Sequence, residues 1–450
     1  MATNKTCPGV YIEEVPSGVK PIESASTSTA VFIGQTAEEN AHIGEPKLIF
    51  RWADYIESFG FGIKEEIPSA SGGVGLDAEE PGDDAEEPDD DAEDSDAEAD
   101  ASKPRTQISK SKADIMGLAV YNFFLNGGGA AYIVNVGEGT PADYDKAFAS
   151  LQKIRDISII CLPGKAWGTG NSNATDRGII EKAITHAEEM QNRMVIVDIA
   201  ETVKLATKND VTNEDTGLNP KPSMFSVAYY PWVEVANPFY KPNDEEDEEE
   251  EEEEPPPATF KMAPSSFVAG MWAKIDGRRG VWKAPAGVET ALLGVVGLTD
   301  NVDDKVQGQL NPVGINCIRK IPGAGPVIWG SRTLATKTDP EWRYVPVRRT
   351  ASMIEESIYT NIQWAVFEPN DHRLWSSLRV NINAFMNGLW RAGAFQGEKA
   401  SDAYFVRCNL GDTMTQDDVD LGKVIVEVGF APLKPAEFVI VRIQQKVAQQ

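Results

Sequence analysis

Between residues 114 and 199 the chain alternates amphipathic helical segments with short, continuously apolar segments. In chain order, the helical patterns and the apolar runs that follow them occupy 114–125, 131–136, 141–154, 157–162, 176–190 and 194–199. Runs that are apolar on both faces are typical of parallel strands, because the crossover helices of βαβ units cover both sides of the sheet. The pattern therefore predicts a central α/β domain built on a parallel sheet.

Segments on either side of this region extend the predicted central domain over residues 21–340. Strand patterns occupy 30–34, 225–235, 315–321 and 327–329, and helical patterns occupy 52–59 and 265–274.

The last third of the chain predicts an α+β domain over residues 341–450. A helix that starts near Thr350 is stopped by Pro369, and a second helix is capped by Asn370 or Asp371 and closed by Gly393. The apolar stripes of the two helices are Ile354, Ile358, Ile362 and Ala365 in the first, and Leu374, Leu378, Ile382, Phe385 and Leu389 in the second. Strand patterns follow over 403–408, 424–430 and 437–443.

Both ends of the chain carry strand patterns that cannot bury themselves. The final pattern is apolar on both faces and consists of Glu437, Phe438, Val439, Ile440, Val441, Arg442 and Ile443. Such a strand near a chain end needs partners on both sides, and left alone it recruits another chain. Near the other end, Pro-Gly and Pro-Ser-Gly breakers bracket a short strand that includes Val10, Tyr11, Ile12 and Glu13. We therefore predict strand arms at both ends of the chain, the first within residues 1–20.

Three segments resemble contractile tail sheath proteins, the family that includes phage tail sheaths and the sheaths of extracellular contractile injection systems of the antifeeding-prophage and Photorhabdus-virulence-cassette type. They are PGVYIEEVPSG at 8–18, PIESASTSTAVFIG at 21–34, and the stretch from RYVPVRR at 343–349 to FEPN at 367–370. The resemblance is strong over 7–60 and 341–443, looser between them, and absent from two acidic insertions. Several motifs in the family's order, at both chain ends, are more specific than any one of them.

The resemblance implies a C-terminal domain that lines the inner wall of a sheath and inserted domains that face outward. It also implies that the terminal arms pair with strands of neighbouring C-terminal domains, which would build a helical polymer. The implied function is that of a structural subunit that polymerises around an inner tube in an extended, high-energy state and contracts to drive the tube through a target envelope. The expected partners are further copies of the chain or paralogous sheath subunits, the inner tube protein, and baseplate and terminator or cap proteins.

Two acidic tracts account for the net charge of −28. Residues 77–100 contain 15 acidic and no basic side chains, and residues 244–254 are 11 consecutive acids. Removing these 26 from the 70 acidic side chains leaves 44 against 42 Lys and Arg, so the rest of the chain is nearly neutral. Like-charge tracts repel themselves and bury nothing. They predict disordered insertions at 62–106 and 243–257, which are either tolerated at the surface, keep a crowded polymer soluble and spaced, or bind divalent ions. Neither tract has the alternating ligands and glycine turn of a calcium loop. The neutral body does not favour nucleic-acid binding.

The cysteines and the hydropathy of the chain indicate the compartment in which it is made and folds. Cys7, Cys161, Cys317 and Cys408 lack the spacing of metal ligands, which predicts free thiols and folding in a reducing cytoplasm. No apolar signal core opens the chain, and no stretch approaches the roughly 20 apolar residues that span a bilayer. We expect synthesis in the cytoplasm, no membrane insertion, and assembly into a phage-tail-like particle, either a virion or a released extracellular particle.

No motif predicts a catalytic, cofactor-binding or metal-binding site. Residues 127–129 are three glycines that precede a strand, whereas phosphate-binding loops follow one. Residues 168–170 do follow a strand, where α/β folds bind ligands, but they lack the third glycine of a dinucleotide motif. His42, His186 and His372 are scattered, and His186 is expected at a solvent-exposed helix position. The alternatives to a sheath subunit are an α/β enzyme or small-ligand-binding protein with acidic inserts, and a monomeric acidic chaperone-like binder.

Five arginines accompany the two C-terminal helices. Arg373, Arg379 and Arg391 lie on the second helix, and Arg348 and Arg349 precede the first. Solvation of a polar helix face is the simplest interpretation. The inner position implied by the resemblance suggests another interpretation, in which Arg373, Arg379 and Arg391 contact the inner tube through weak, releasable ion pairs.

The whole chain is predicted as a multidomain α/β and α+β protein, with the central domain between an N-terminal arm and a C-terminal assembly domain.

Overall fold

The computed structural model describes residues 21–61, 114–170, 173–236, 258–335, 339–438 and 440. The strands are β1 (Ala30–Gly34), β2 (Lys47–Ile49), β3 (Ala131–Asn135), β4 (Ile159–Cys161), β5 (Met194–Asp198), β6 (Ser226–Tyr230), β7 (Val233–Ala236), β8 (Thr259–Met262), β9 (Val295–Leu298), β10 (Ile315–Ile321), β11 (Gly325–Ile328), β12 (Tyr404–Arg407) and β13 (Glu427–Phe430). The helices are α1 (Trp52–Phe59), α2 (Ile115–Leu125), α3 (Pro141–Leu151), α4 (Ala174–Met190), α5 (Asn209–Thr212), α6 (Ser265–Arg279), α7 (Asp304–Leu310), α8 (Val345–Asn361), α9 (His372–Arg391), α10 (Ala400–Ala403) and α11 (Gln416–Asp420). The predicted arm strand at 10–13, the acidic tracts at 77–100 and 244–254, Cys7, Val439 and residues 441–443 lie outside the described residues.

Eight strands form the main sheet, in the order β11-β10-β6-β5-β4-β1-β3-β2. The six inner strands are parallel, and the edge strands β11 and β2 pair antiparallel with their neighbours. Along β1, Phe32 enters a core shared with α1, α2 and α6, whereas Val31 and Ile33 enter a core shared with α3 and α4. Burial on both faces is the reason why these strands are continuously apolar. The predicted parallel α/β sheet is therefore confirmed.

The single strand predicted over 225–235 is wrong. Residues 226–230 form β6 in the main sheet, whereas 233–236 form β7 in a separate antiparallel sheet with β8 and β9. Pro231 lies between them, and proline cannot donate a hydrogen bond to a strand ladder. The chain therefore leaves one sheet and enters another within two residues.

The two long C-terminal helices are present, but both boundaries of the first differ from the prediction. α8 ends at Asn361 and not at Pro369, and Ala365 lies in a separate 3-10 helix over 363–365. α8 begins at Val345 rather than near Thr350, because Pro346 is tolerated in the first helical turn, where its missing N–H has no intrahelical partner to lose. Arg348 and Arg349 consequently lie within α8 and do not precede it. α9 begins where predicted, since the Asp371 carboxylate accepts hydrogen bonds from the backbone N–H groups of Arg373 and Leu374, at 2.8 and 3.2 Å.

β12 and β13 form a two-stranded antiparallel sheet that packs with α9 and the buried residues of α8. They correspond to the strands predicted over 403–408 and 424–430. The third predicted strand, over 437–443, is described only at Glu437, Phe438 and Ile440, and these three residues belong to no strand of the single chain.

Candidate assembly surfaces

α8 is held against the central sheet layer by a buried ion pair. The Arg349 guanidinium donates to the Asp276 carboxylate of α6, at 3.0 and 2.5 Å, and to the carbonyl oxygen of Thr27, at 2.7 Å. Burial raises the Asp276 pKa, and the Arg349 charge opposes that rise. Arg349 also stacks over the Trp272 ring, 4.5 Å from its centroid. A buried charge is tolerated when its partner and its hydrogen bonds are supplied, so the pair joins the C-terminal helix firmly to α6.

A second polar cluster joins α8 to the loops that follow α3 and α4. Arg155 donates to both carboxylate oxygens of Glu356, at 2.7 and 2.5 Å, and Asn192 donates to the same carboxylate at 3.1 Å. Arg155 also lies over the Tyr359 ring, 4.2 Å from its centroid. Together with the Arg349 pair, this cluster attaches α8 to the central sheet at two separate points.

His186 is buried, so its predicted solvent-exposed position is wrong. Its ring packs against Phe148, with 5.6 Å between the ring centroids, because this side of α4 faces the core under the sheet. The Arg193 guanidinium donates to Nε2 of His186 at 3.1 Å, which requires the neutral imidazole as acceptor. Burial, and then the Arg193 charge, lower the His186 pKa to about 4. The residue is structural, as is the fully buried Arg193.

The first described residues of the chain run along α8. The backbone N–H of Ala25 donates to Ser357 Oγ at 2.8 Å, and the Asn361 side chain donates to the carbonyl oxygen of Glu23 at 3.1 Å. Ile22 packs onto the cluster formed by α8 and α9. The described chain therefore begins beside the C-terminal helices, although residues 22–25 are far from them in sequence.

The β12–β13 sheet has an open edge among the residues that the structure describes. Residues 404–407 of β12 pair only with β13, and Phe405 of β12 is 45% exposed. Two-stranded sheets are marginal on their own, and an unpaired edge is a template for a further strand. The described part of the chain therefore leaves this edge of β12 without a neighbouring strand.

The C-terminal tail crosses the surface between Pro432 and Ile440. Among the described residues, the last backbone contacts of the tail are those of Ala431 with Gln396 and Ala403 and of Pro432 with Phe395. Farther on, the Glu437 carboxylate accepts hydrogen bonds from both Nε and Nη2 of Arg332, the former at 2.8 Å, and from the Tyr344 hydroxyl at 3.2 Å. Phe438 and Ile440 are 74% and 79% exposed. The tail therefore presents apolar side chains to solvent immediately after a polar anchor.

The three arginines proposed for tube contact occupy different environments. Arg379 donates to the carbonyl oxygen of Cys408 and, at 3.0 Å, to Ser376 Oγ, so its guanidinium is used within the subunit. Arg373 and Arg391 are exposed at opposite ends of α9 and form no ion pair among the described residues.

Sites for chemistry are not apparent in the part of the chain that the structure covers. It contains no group of three or more His, Cys, Asp or Glu side chains arranged to hold a metal ion. Cys161, Cys317 and Cys408 are buried free thiols, as predicted. None of its helices has both the length and the apolarity needed to cross a bilayer.

Two family profiles match the chain. A family profile described as the phage tail sheath protein central domain matches residues 137–334, and one described as the phage tail sheath C-terminal domain matches residues 337–446. Together the two matches cover about two thirds of the chain. The chain therefore belongs to the contractile tail sheath family, which confirms the resemblance carried by its terminal motifs.

Individual relatives place the chain within this family more closely. It is 35% identical to the tail sheath protein of Burkholderia phage BcepMu over 143 residues, which are 30% of this chain and 30% of that relative. Among solved structures, the contracted sheath complex of the PVC extracellular contractile injection system is 28% identical, with full coverage of both chains and a TM-score of 0.67. The contracted helical sheath of the anti-feeding prophage is also 28% identical, with 98% of this chain and 100% of that chain covered and a TM-score of 0.67.

Proposed function

We propose that this protein is a structural subunit of a contractile sheath, which polymerises helically around an inner tube and contracts to drive that tube through a target envelope. The observation that carries the proposal is the similarity of nearly the whole chain to sheath subunits solved in the contracted state. The family's structural role suggests a non-enzymatic function and does not favour the α/β enzyme or ligand-binding alternative.

Polymerisation is proposed to use the two chain ends as strand arms. Three features support this: a chain start that runs along α8, an open β12 edge, and a tail whose Phe438 and Ile440 are exposed. Residues 10–13 and 438–443 of one subunit would add strands to the β12–β13 sheet of neighbours, with backbone hydrogen bonds supplying affinity. Because the contact would join different surfaces, it can repeat from subunit to subunit and generates a helical filament when the rotation does not close into a ring.

Contraction is proposed to be a rigid-body rearrangement of subunits that stay tethered by these arms. The buried contacts of α8 with α6 and with Arg155 support this, since they would make residues 21–340 and 341–450 move as one body. We further propose that the inner tube protein contacts Arg373 and Arg391, and that baseplate and cap proteins bind the ends of the polymer. No nucleotide or metal is required, because the energy is stored in assembly.

Electron microscopy of the purified full-length chain, alone and with the inner tube protein, tests the proposal. We expect long striated tubes. Deleting residues 1–18, or truncating the chain before Glu437, should leave a folded monomer that forms no tubes. Discrete particles from the wild-type chain under both conditions would contradict the proposed function, and tubes from either truncated chain would contradict the arm model.

A further inference from the structure

We propose that Arg332, Tyr344 and Glu437 form a clasp that holds the C-terminal tail on its own subunit and sets the point from which the assembly strand emerges. This inference rests on the proposed function, because it concerns how the strand arm is presented. The three residues are positioning residues: they would act on assembly through the strand and not by touching the neighbouring subunit.

The Arg332 end of the clasp is held by contacts that do not involve the tail. Arg332 is 6% exposed, and its Nη1 donates to the carbonyl oxygen of Asn311 at 3.0 Å. Its backbone N–H donates to the Asn316 side-chain oxygen at 2.7 Å, and its carbonyl oxygen accepts from Asn316 Nδ2 at 2.8 Å. With the main chain and the guanidinium both held, the two donors that face Glu437 are preorganised for a carboxylate.

Tyr344 ties the clasp to α8. It is the residue that immediately precedes the helix, and it pairs with Arg332 through an isolated antiparallel bridge. The clasp therefore lies where the end of the main sheet meets the helix that carries Arg349 and Glu356. A tail held at this point therefore keeps a fixed position relative to the rigid part of the subunit.

No other described residue of the tail beyond Pro432 has a polar attachment. Among the described residues 433–438 and 440, Glu437 alone forms hydrogen bonds, and residues 433–436 cross a cleft of about 900 Å³ whose walls include Trp282 and Trp329. With the clasp closed, the free chain begins at Phe438. With the clasp open, it begins five residues earlier, at Leu433, and the strand must be ordered from a much larger set of conformations.

The consequence is that the clasp favours assembly through preorganisation. A strand that leaves from a fixed point loses less conformational freedom when it joins a neighbouring sheet. A hydrogen bond to a charged group is strong enough for roughly a tenfold change in an equilibrium constant. Opening the clasp should therefore raise the concentration at which tubes form, without adding or removing any contact between subunits.

The test compares tube formation by three full-length variants with that of the wild-type chain, using sedimentation and electron microscopy. Glu437→Gln weakens the clasp, Tyr344→Phe removes its 3.2 Å hydrogen bond alone, and Glu398→Gln makes the same chemical change at an exposed residue without an ion pair among the described residues. We expect the critical concentration to rise roughly tenfold for Glu437→Gln, to rise by a smaller factor for Tyr344→Phe, and to stay unchanged for Glu398→Gln. If wild-type tubes form and both clasp variants assemble at the wild-type concentration, the clasp is refuted while the proposed function stands.

A second measurement on the monomer keeps the two hypotheses separate. A nitroxide is attached at Phe438→Cys in a Cys7→Ser background, where the remaining cysteines are buried. The clasp predicts a restrained label that becomes mobile when Glu437→Gln is added, with the thermal midpoint of the variant confirming that it is folded. If wild-type tubes never form, the proposed function fails, and the spectrum of the nitroxide label alone decides whether the clasp exists. Unchanged label mobility in the Glu437→Gln variant would refute the clasp.

Discussion

Arg349 and Asp276 form an ion pair with 2.5 Å between Nη2 and the carboxylate oxygen, and their side chains are only 3% and 4% exposed. They are 73 positions apart in the chain and connect α8 to α6. Because neither charge can be rehydrated without opening the contact between the two helices, the pair makes this junction sensitive to loss of either partner.

Substitution of either member of this pair should therefore be costly. Arg349→Met leaves the Asp276 carboxylate buried without its counter-ion, and we expect a loss of about 3–5 kcal/mol in the free energy of unfolding. The matched control is Arg279→Met, which breaks an ion pair with Glu289 whose side chains are 56% and 37% exposed and should cost less than about 1 kcal/mol. Urea denaturation measures both, and equal losses would show that the buried pair does not lock α8.

Acid should destabilise the protein through His186. Its folded-state pKa of about 4 lies below the ordinary 6.5, so the unfolded chain takes up a proton between these values while the folded chain does not. The stability that the neutral, buried His186 contributes to the folded state is fully present above pH 6.5. As the pH falls toward 4, the free energy of unfolding decreases by at most about 1.4 kcal/mol per pH unit.

The comparison variant for this prediction is His186→Gln, which keeps an acceptor for Arg193 but cannot titrate. Its thermal midpoint should fall less than that of the wild-type chain between pH 6.5 and 4.5. The difference isolates His186 from Asp198, whose pKa is raised by burial to about 7 and which titrates with the opposite effect on stability. Parallel curves for the two proteins would contradict the prediction.

Phe367 is fully exposed and has a φ angle of +69°, a left-handed conformation that is unfavourable for a bulky side chain. Phe367→Asn should increase the free energy of unfolding of the monomer by about 1 kcal/mol, because asparagine tolerates this conformation and no buried contact is lost. The neighbouring Val366, which is exposed with a φ of −69°, provides the control. Val366→Asn should bring no such gain in thermal unfolding.

Charge reversal should have different effects on stability and tube binding at the three arginines of α9. Arg373→Glu places a negative charge in the first turn of a helix, which should leave the monomer unchanged or stabilise it by about 0.3–1 kcal/mol. If Arg373 contacts the inner tube, the same change should reduce co-sedimentation with tube protein. Arg379→Glu should instead destabilise the monomer, because it removes the hydrogen bonds to Cys408 and Ser376. Unchanged co-sedimentation of an Arg373→Glu and Arg391→Glu double variant would remove tube contact from the proposal.

The sequence by itself determined features that depend on local pattern. Continuous apolar runs alternating with helices specify a parallel sheet covered on both faces, and Asp371 specifies the start of α9, because periodicity and capping act over a few residues. The family was also recognisable, because its motifs are linear segments at the chain ends.

Only the tertiary structure decided which charged side chains are buried and what they bind. Asp276 lies just after the helix predicted over 265–274, and Arg349 lies just before the helix predicted from Thr350. Glu437 meets Arg332 across 105 positions, and His186 occupies a helix turn rich in glutamate. Periodicity does not say which layer covers a given helix face, and a single sequence does not pair distant charges. The separation of β6 from β7 was likewise set by which sheet offered each strand a partner, since two apolar strands joined through Pro231 look like one.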